Sequence, residues 1–189
     1  MSELPKAPLP PQLSDTQTVR VRARRHIDEG AVTEDYLADR TVVLNLLNEA
    51  LATEIVCSLR YKRHYYTAKG LAAASVAEEF LEHAREEEEH ADLFADRITQ
   101  LGGEPDFSPD SLARRSRAEY VEGETLVDMI REDLVAERIA IETYKEVINY
   151  LGTSDPTSRR LFEKVLAVEE EHAEELHTLI HQIGRTDNR

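Results

Sequence analysis

Residues 86–90 read Glu-Glu-Glu-Glu-His, and residues 169–172 read Glu-Glu-Glu-His. In each run a glutamate stands three places before a histidine: Glu87 before His90, and Glu169 before His172. Residues three apart on an α-helix share a face, one turn displaced. Glu86, four places before His90, shares that face too, so this run alone leaves two carboxylates to choose from. Ala84, Ala91 and Phe94 surround the first pair, and Val165, Val168 and Leu176 surround the second. Apolar residues at such three- and four-residue steps form a buried stripe, so both pairs are expected to face a core.

Two further segments carry a single carboxylate in the same setting. Glu54 lies between Leu51 and Ile55, and Glu137 lies between Leu134 and Ile141. The chain therefore reads as four long helices. The first runs from about Thr33 to Lys69 along Val43, Leu46, Leu47, Ala50, Leu51, Ile55, Ser58 and Leu59. The second runs from about Leu71 to Leu101 and stops at Gly102-Gly103. The third starts near Thr125 and ends before Gly152. The fourth opens at Ser154-Asp155-Pro156, a capping residue followed by the proline favoured in the first turn, and ends at Gly184.

Very short turns join the first helix to the second and the third to the fourth, which predicts two antiparallel hairpins. Between the hairpins lie Gly102 to Glu124, with Pro105 and Pro109. A connection that long suits a crossover along the length of a bundle, with a short helix within Ser111 to Tyr120. The expected fold is all-α: a four-helix bundle of two antiparallel hairpins joined by a long crossover. Residues 1–32 read as a flexible tail, 33–184 as the bundle and 185–189 as a C-terminal tail. The first tail holds four prolines from Pro5 to Pro11, then the one basic cluster, Arg20, Arg22, Arg24 and Arg25.

Composition narrows the function. The 189 residues carry 38 acidic against 23 basic side chains, a formal charge of −15. Such a body repels nucleic acid phosphate and favours cations. The basic tail reads as a flexible arm, with DNA contact as its alternative. The single cysteine, Cys57, excludes an internal disulfide and a cysteine-based zinc site. No apolar run approaches the roughly 18 residues of a membrane span. A hydrophobic signal core is also missing from the N-terminus, so no membrane and a cytoplasmic location are expected.

The four buried carboxylates carry the chemistry. An unpaired buried carboxylate costs several kcal/mol or takes up a proton. Four in one core are better neutralised by two divalent cations, with two imidazoles completing the donor set. Oxygen-rich donors with one nitrogen per metal suit iron or manganese better than zinc or magnesium. A glutamate from each of two helices and a Glu-x-x-His from each of the other two is the di-metal carboxylate arrangement of ferritin-like bundles.

On Glu54, Glu87-x-x-His90, Asp133-Leu-Val-Ala-Glu137 and Glu169-x-x-His172, the chain resembles the ferritin-like superfamily, and within it the bacterioferritins and Dps-like miniferritins. The resemblance spans roughly Thr41 to Ile180. It implies two iron ions per subunit, with manganese or zinc able to replace them in a crystal. Glu87 and Glu169 would bridge them; Glu54 and His90 would be terminal on one, Glu137 and His172 on the other. Tyr61, two turns beyond Glu54, matches a tyrosine beside the bacterioferritin site, and Glu86 and His83 are further candidates for supporting roles.

The implied activity is ferroxidase: Fe(II) is oxidised to Fe(III) with O2 or H2O2 as acceptor, for iron storage and protection from oxidative damage. Bacterioferritins hold haem through a methionine one place after the second-helix glutamate. Glu88 stands there, so no haem is expected. Ending after the fourth helix, the chain resembles the twelve-subunit cages, so a homo-oligomer, a dodecamer, is expected. The alternatives are a haem-free 24-subunit bacterioferritin, or a non-storing peroxidase or oxidase of rubrerythrin or manganese-catalase type. Rubrerythrins usually add paired cysteines, which Cys57 alone cannot supply. Tyr144 and Cys57 read as core packing, and His83, His177 and His181 are most simply surface histidines.

Overall fold

The structure, a computed structural model, describes residues 13–70 and 73–186. The proline stretch Pro5 to Pro11, Leu71 and residues 187–189 of the expected C-terminal tail lie outside them. Helices are α1 (Thr16–Arg22), α2 (Arg40–Thr67), α3 (Ala73–Gln100), α4 (Pro109–Arg115), α5 (Leu126–Leu151) and α6 (Pro156–Thr186), and no strand occurs among the described residues.

The chain divides into two units, residues 1–36 and 37–189. In the first, a helix forms where a flexible tail was expected. Asp15 caps α1, its carboxylate accepting from the Gln17 and Thr18 amides at 2.9 and 3.0 Å. Two arginines of the basic cluster meet acids of the same unit: Arg25 pairs with Glu34 at 2.6 Å, and Arg22 approaches Asp35 at 4.0 Å.

In the second unit, α2 packs chiefly on α3, and α5 on α6, which are the two expected hairpins. Fewer contacts join α2 to α5 and α3 to α6. Tyr61 and Tyr144 fix the direction of the first of these pairs. Tyr61 meets Glu137, and Tyr144 meets Glu54, so α2 and α5 run antiparallel. Along α3 and α6, His83 meets Glu175 and Arg97 meets Asp155, which makes that pair antiparallel as well.

Helix ends explain most boundaries. The first long helix begins at Arg40, not near Thr33, because Asp39 caps it through the Thr41 and Val42 amides. α3 ends in a Schellman motif. Gly102, at φ 72°, donates to the Thr99 carbonyl, and Gly103 donates to that of Ile98, both at 2.9 Å. A Cβ at Gly103 would lie 2.5 Å from Leu44 Cδ2, so the Leu44 side chain would have to shift to admit one. Thr125 and Asp128 form a capping box at the start of α5. Asp155 caps α6, accepting from the Ser158 amide at 2.9 Å while Arg97 grips its carboxylate at 3.0 Å. Gly184 does not stop α6, which continues to Thr186.

The crossover lies along α2. Asn48 Oδ1 accepts from the Asp106 amide at 2.8 Å, and Thr53 Oγ1 accepts from the Arg117 amide at 3.0 Å. Further along, Arg60 donates to the Glu119 carbonyl at 2.7 Å, and His64 Nε2 lies 2.9 Å from that of Glu122. The short helix comes slightly earlier than expected, at Pro109–Arg115, with proline in its first turn.

α2 contains an 18-residue stretch with the apolar composition of a membrane span, although no single run suggested one. More than half of that stretch is buried inside the bundle. Leu59, expected on its buried stripe, points outward and is half exposed. A helix face is about 100° wide, so the last residue of a long stripe can drift out of it.

Candidate metal centre

All six residues singled out on the four long helices meet at mid-bundle. Glu54, Glu87, Glu137, Glu169 and His172 are each 1% exposed, and His90 is 5% exposed. They form two overlapping groups, Glu54–Glu87–His90–Glu169 and Glu87–Glu137–Glu169–His172. Within each group one donor atom per residue lies within 4.8 Å of the others. Glu87 and Glu169 belong to both.

The two halves mirror each other. His90 Nδ1 lies 3.2 Å from Glu54, 4.0 Å from Glu87 and 3.0 Å from Glu169. His172 Nδ1 lies 3.9 Å from Glu137, 3.5 Å from Glu87 and 3.6 Å from Glu169. Each imidazole thus faces one lone glutamate and both shared ones. The lone glutamates are held by tyrosines from across the bundle: Tyr61 donates to Glu137, and Tyr144 donates to Glu54.

Burial and crowding set the charges. Burial, then the charges of Glu87 and Glu169, push the Glu137 carboxyl well above the usual range. Glu87 rises for similar reasons, burial and then Glu169. Burial would raise Glu169 too, but His172 and His90 beside it outweigh that and hold it at about 2. Burial opposes charge on His172, yet Glu169 and Glu87 win and push it up to about 12. Tyr61 and Tyr144 also rise, first through burial, so both remain O–H donors.

These residues fit a pair of divalent cations. Glu87 Oε1, both Glu169 oxygens and His172 Nδ1 are buried without a well-formed hydrogen bond. Orphaned buried carboxylate oxygens of this kind call for a partner, and a cation satisfies several at once. The donors are oxygen-rich with one imidazole in each group, which matches iron or manganese.

The surroundings depart from expectation in three places. His83 is not a surface histidine: it is 1% exposed, with Nε2 2.9 Å from Glu175 and its ring stacked on His172 at 4.0 Å between centroids. Glu86 is half-exposed but reaches His172 Nε2 at 2.7 Å, so it contacts the other hairpin's histidine. Tyr144 packs in the core against Phe94 and Phe162, but its hydroxyl also serves Glu54. The sequence held a signal for this. Tyr61 follows Glu54 by seven residues, and Tyr144 follows Glu137 by the same seven. His177 and His181 are exposed, as expected, and lie 3.0 Å apart. Glu88 pairs with Lys62.

A second buried set had not been singled out. Asp133 accepts from Arg60 Nε at 2.8 Å and lies 2.8 Å from His64 Nδ1, all three nearly inaccessible. Because Arg60 and His64 also hold the crossover, this set ties α2, α5 and the crossover together one turn from Glu137.

Known proteins share this architecture. The chain is 31% identical to bacterioferritin of Mycobacterium leprae over 144 residues, 76% of this chain and 86% of that one. It is 30% identical to bacterioferritin of Rhodobacter capsulatus, over 73% of this chain and 82% of that one. Among solved structures, it is similar to a dodecameric thioferritin, the bacterioferritin-related protein of Bacteroides fragilis. That match has a TM-score of 0.77 and 32% identity, covering 80% of this chain and 92% of the other. Dps from Thermosynechococcus elongatus shares the fold, with a TM-score of 0.71, 20% identity, and coverage of 74% of this chain and 90% of that one. The ferritin-like domain profile matches residues 44–186, the stretch that holds nearly all of the four long helices and all six converging residues, and the chain belongs to that family.

Proposed function

We propose that this chain is a ferroxidase that oxidises Fe(II) to Fe(III) and stores or detoxifies the product, with O2 or H2O2 as the electron acceptor. One observation carries the reading: two acid–histidine groups at mid-bundle that share Glu87 and Glu169. On this reading Glu54, Glu87 and His90, with Glu169, hold one iron, and Glu137 and His172, with the same two shared glutamates, hold the other. Glu87 and Glu169, which belong to both groups, would be shared between the two. A pair of irons supplies two one-electron donors side by side, which matches the two-electron reduction of O2 to H2O2.

The protein's own part is electrostatic and positional. Four carboxylates and two imidazoles replace the water shell of the incoming Fe(II). Tyr61 and Tyr144 hold the lone glutamates in a fixed orientation by donating to one oxygen of each. The buried apolar core, in which Phe94 and Phe162 pack on Tyr144, keeps the field of these groups strong.

Assembly follows from the same kinship. The Bacteroides fragilis relative is dodecameric. A closed homo-oligomer, a dodecamer, gives the ferric product an enclosed volume. The net charge of −15 favours cations around it. The bundle is proposed as residues 33–184, with residues 1–32 and 185–189 as appendages.

Replacing Glu54 and His90 together with alanine tests the reading. The ultraviolet absorbance of ferric product should no longer appear on adding Fe(II) in air, while the helical circular dichroism persists. Oxidation that survived the double change would place the site elsewhere. Light scattering on a sizing column reads the subunit number.

A further inference from the structure

The last turns of α6 carry a histidine pair that the central groups do not use. His177 and His181 stand four places apart, so they are neighbours on one face of the helix. Their Nε2 atoms lie 3.0 Å apart, with the rings nearly perpendicular at 82° and centroids 4.5 Å apart. Both side chains are exposed. His177 comes five residues after His172, a rotation of about 140° around the helix axis. His172 faces the core, so the pair faces away from it and shares no donor with the central groups.

The backbone beneath the pair is held in place. Leu176 is buried in the core, and Leu179, Ile180 and Ile183 pack against the same cluster. The two imidazoles therefore hang from a rigid helix at a set spacing, and a bound ion has only their side chains to order. The cleft beside His177, between α5 and α6, is lined by three glutamates against Arg138 and Lys145, so the local charge does not repel a cation.

The spacing selects the ion. A neutral imidazole presents one lone pair, and with both protons on Nδ1 the two Nε2 lone pairs can converge on one point. Metal–imidazole bonds of about 2.0–2.1 Å put donors at a right angle about 2.9 Å apart, and tetrahedral donors about 3.3 Å apart. The 3.0 Å between these two nitrogens is nearer the right angle. Square-planar and tetragonal nitrogen sites are those of Cu(II) and Ni(II), and Cu(II) binds nitrogen donors most tightly of the first-row divalent ions. The central groups, with three carboxylates to each imidazole, have the opposite donor balance.

We propose that His177 and His181 form a surface chelate for Cu(II) or Ni(II), distinct from the central site, with water completing the ion's shell. The pair is then a second metal-binding function of this chain, set by two nitrogens on one helix and independent of the iron chemistry.

Cu(II) is the probe, applied to the full chain without a polyhistidine tag. Crystals soaked in Cu(II) should show anomalous density within bonding distance of both Nε2 atoms. His181→Gln should lose that density and bind one copper fewer per chain in equilibrium dialysis, with any density at the central groups unchanged. Both histidines are exposed, so the change spares the fold. Glu54→Ala with His90→Ala should keep the copper at the pair. Density at the centre alone, density on one histidine only, or an equal copper count in His181→Gln would each overturn the proposal. Copper at the pair with a central site that fails to oxidise Fe(II) would sink the ferroxidase reading and leave the chelate standing.

Discussion

The Tyr144 hydroxyl donates to Glu54, on a helix ninety residues away in sequence, just as Tyr61 donates to Glu137 in the opposite direction. Each hairpin therefore supplies the tyrosine that orients the other hairpin's lone glutamate. The antiparallel run of α2 and α5, together with the equal seven-residue spacing on both, makes the exchange reciprocal. Replacing Tyr144 with phenylalanine keeps the packing against Phe94 and Phe162 but removes the donor. Metal affinity at the central site should fall by roughly 10- to 100-fold, the usual cost of losing a group that orients a ligand. Tyr61→Phe should match it, and competition titration with Co(II) measures both. An unchanged affinity in both variants would mean that the tyrosines only fill space.

Metal should stabilise the fold. Four buried carboxylates repel one another without cations between them, and the orphaned oxygens of Glu87 and Glu169 gain partners when a metal enters. Zinc at about 100 times its Kd adds roughly 2.7 kcal/mol. For a chain of this length that corresponds to a Tm rise of about 5–10 °C. Calorimetry with zinc and then with excess chelator reads the shift, which should reverse. A Tm indifferent to metal would argue against a buried site.

Asp155 is a stability hinge far from the metal centre. It is 1% exposed, caps α6 and neutralises the buried Arg97. Asp155→Ala removes the cap and leaves a buried guanidinium without its carboxylate, at a cost of about 3 kcal/mol or more. The unfolding free energy from a urea titration should fall by that amount, and the midpoint with it. A loss under about 1 kcal/mol would show that water replaces the carboxylate.

Cys57 should be inert in the native state. It is 2% exposed, and burial followed by the charge of Glu87 pushes its thiol well above the ordinary value. The thiolate is the reactive form, so at neutral or mildly alkaline pH almost none is present. A thiol reagent at pH 8 should label it slowly when folded and promptly in denaturant. Fast native labelling would mean that this part of α2 opens readily.

Much of this protein was written in the order of its residues. Stripe spacing, the Gly102-Gly103 stop, the Thr125 and Asp155 starts and the prolines of the long Gly102–Glu124 gap all act within a turn or two of chain, so four helices and a crossover could be read directly. The six central residues were legible for the same reason. Periodicity alone places a glutamate on a buried face, and burial of a charge demands a partner. Contacts between helices obey no such local rule. Whether a hydroxyl seven residues beyond a glutamate meets its own helix or another depends on the direction and register of the neighbour. The tertiary structure alone therefore assigned Tyr144 to Glu54, buried His83 against His172, turned Glu86 across to the opposite hairpin and closed Arg60, His64 and Asp133 into one set. In each case the partner lies on another helix, at a distance that sequence spacing does not encode.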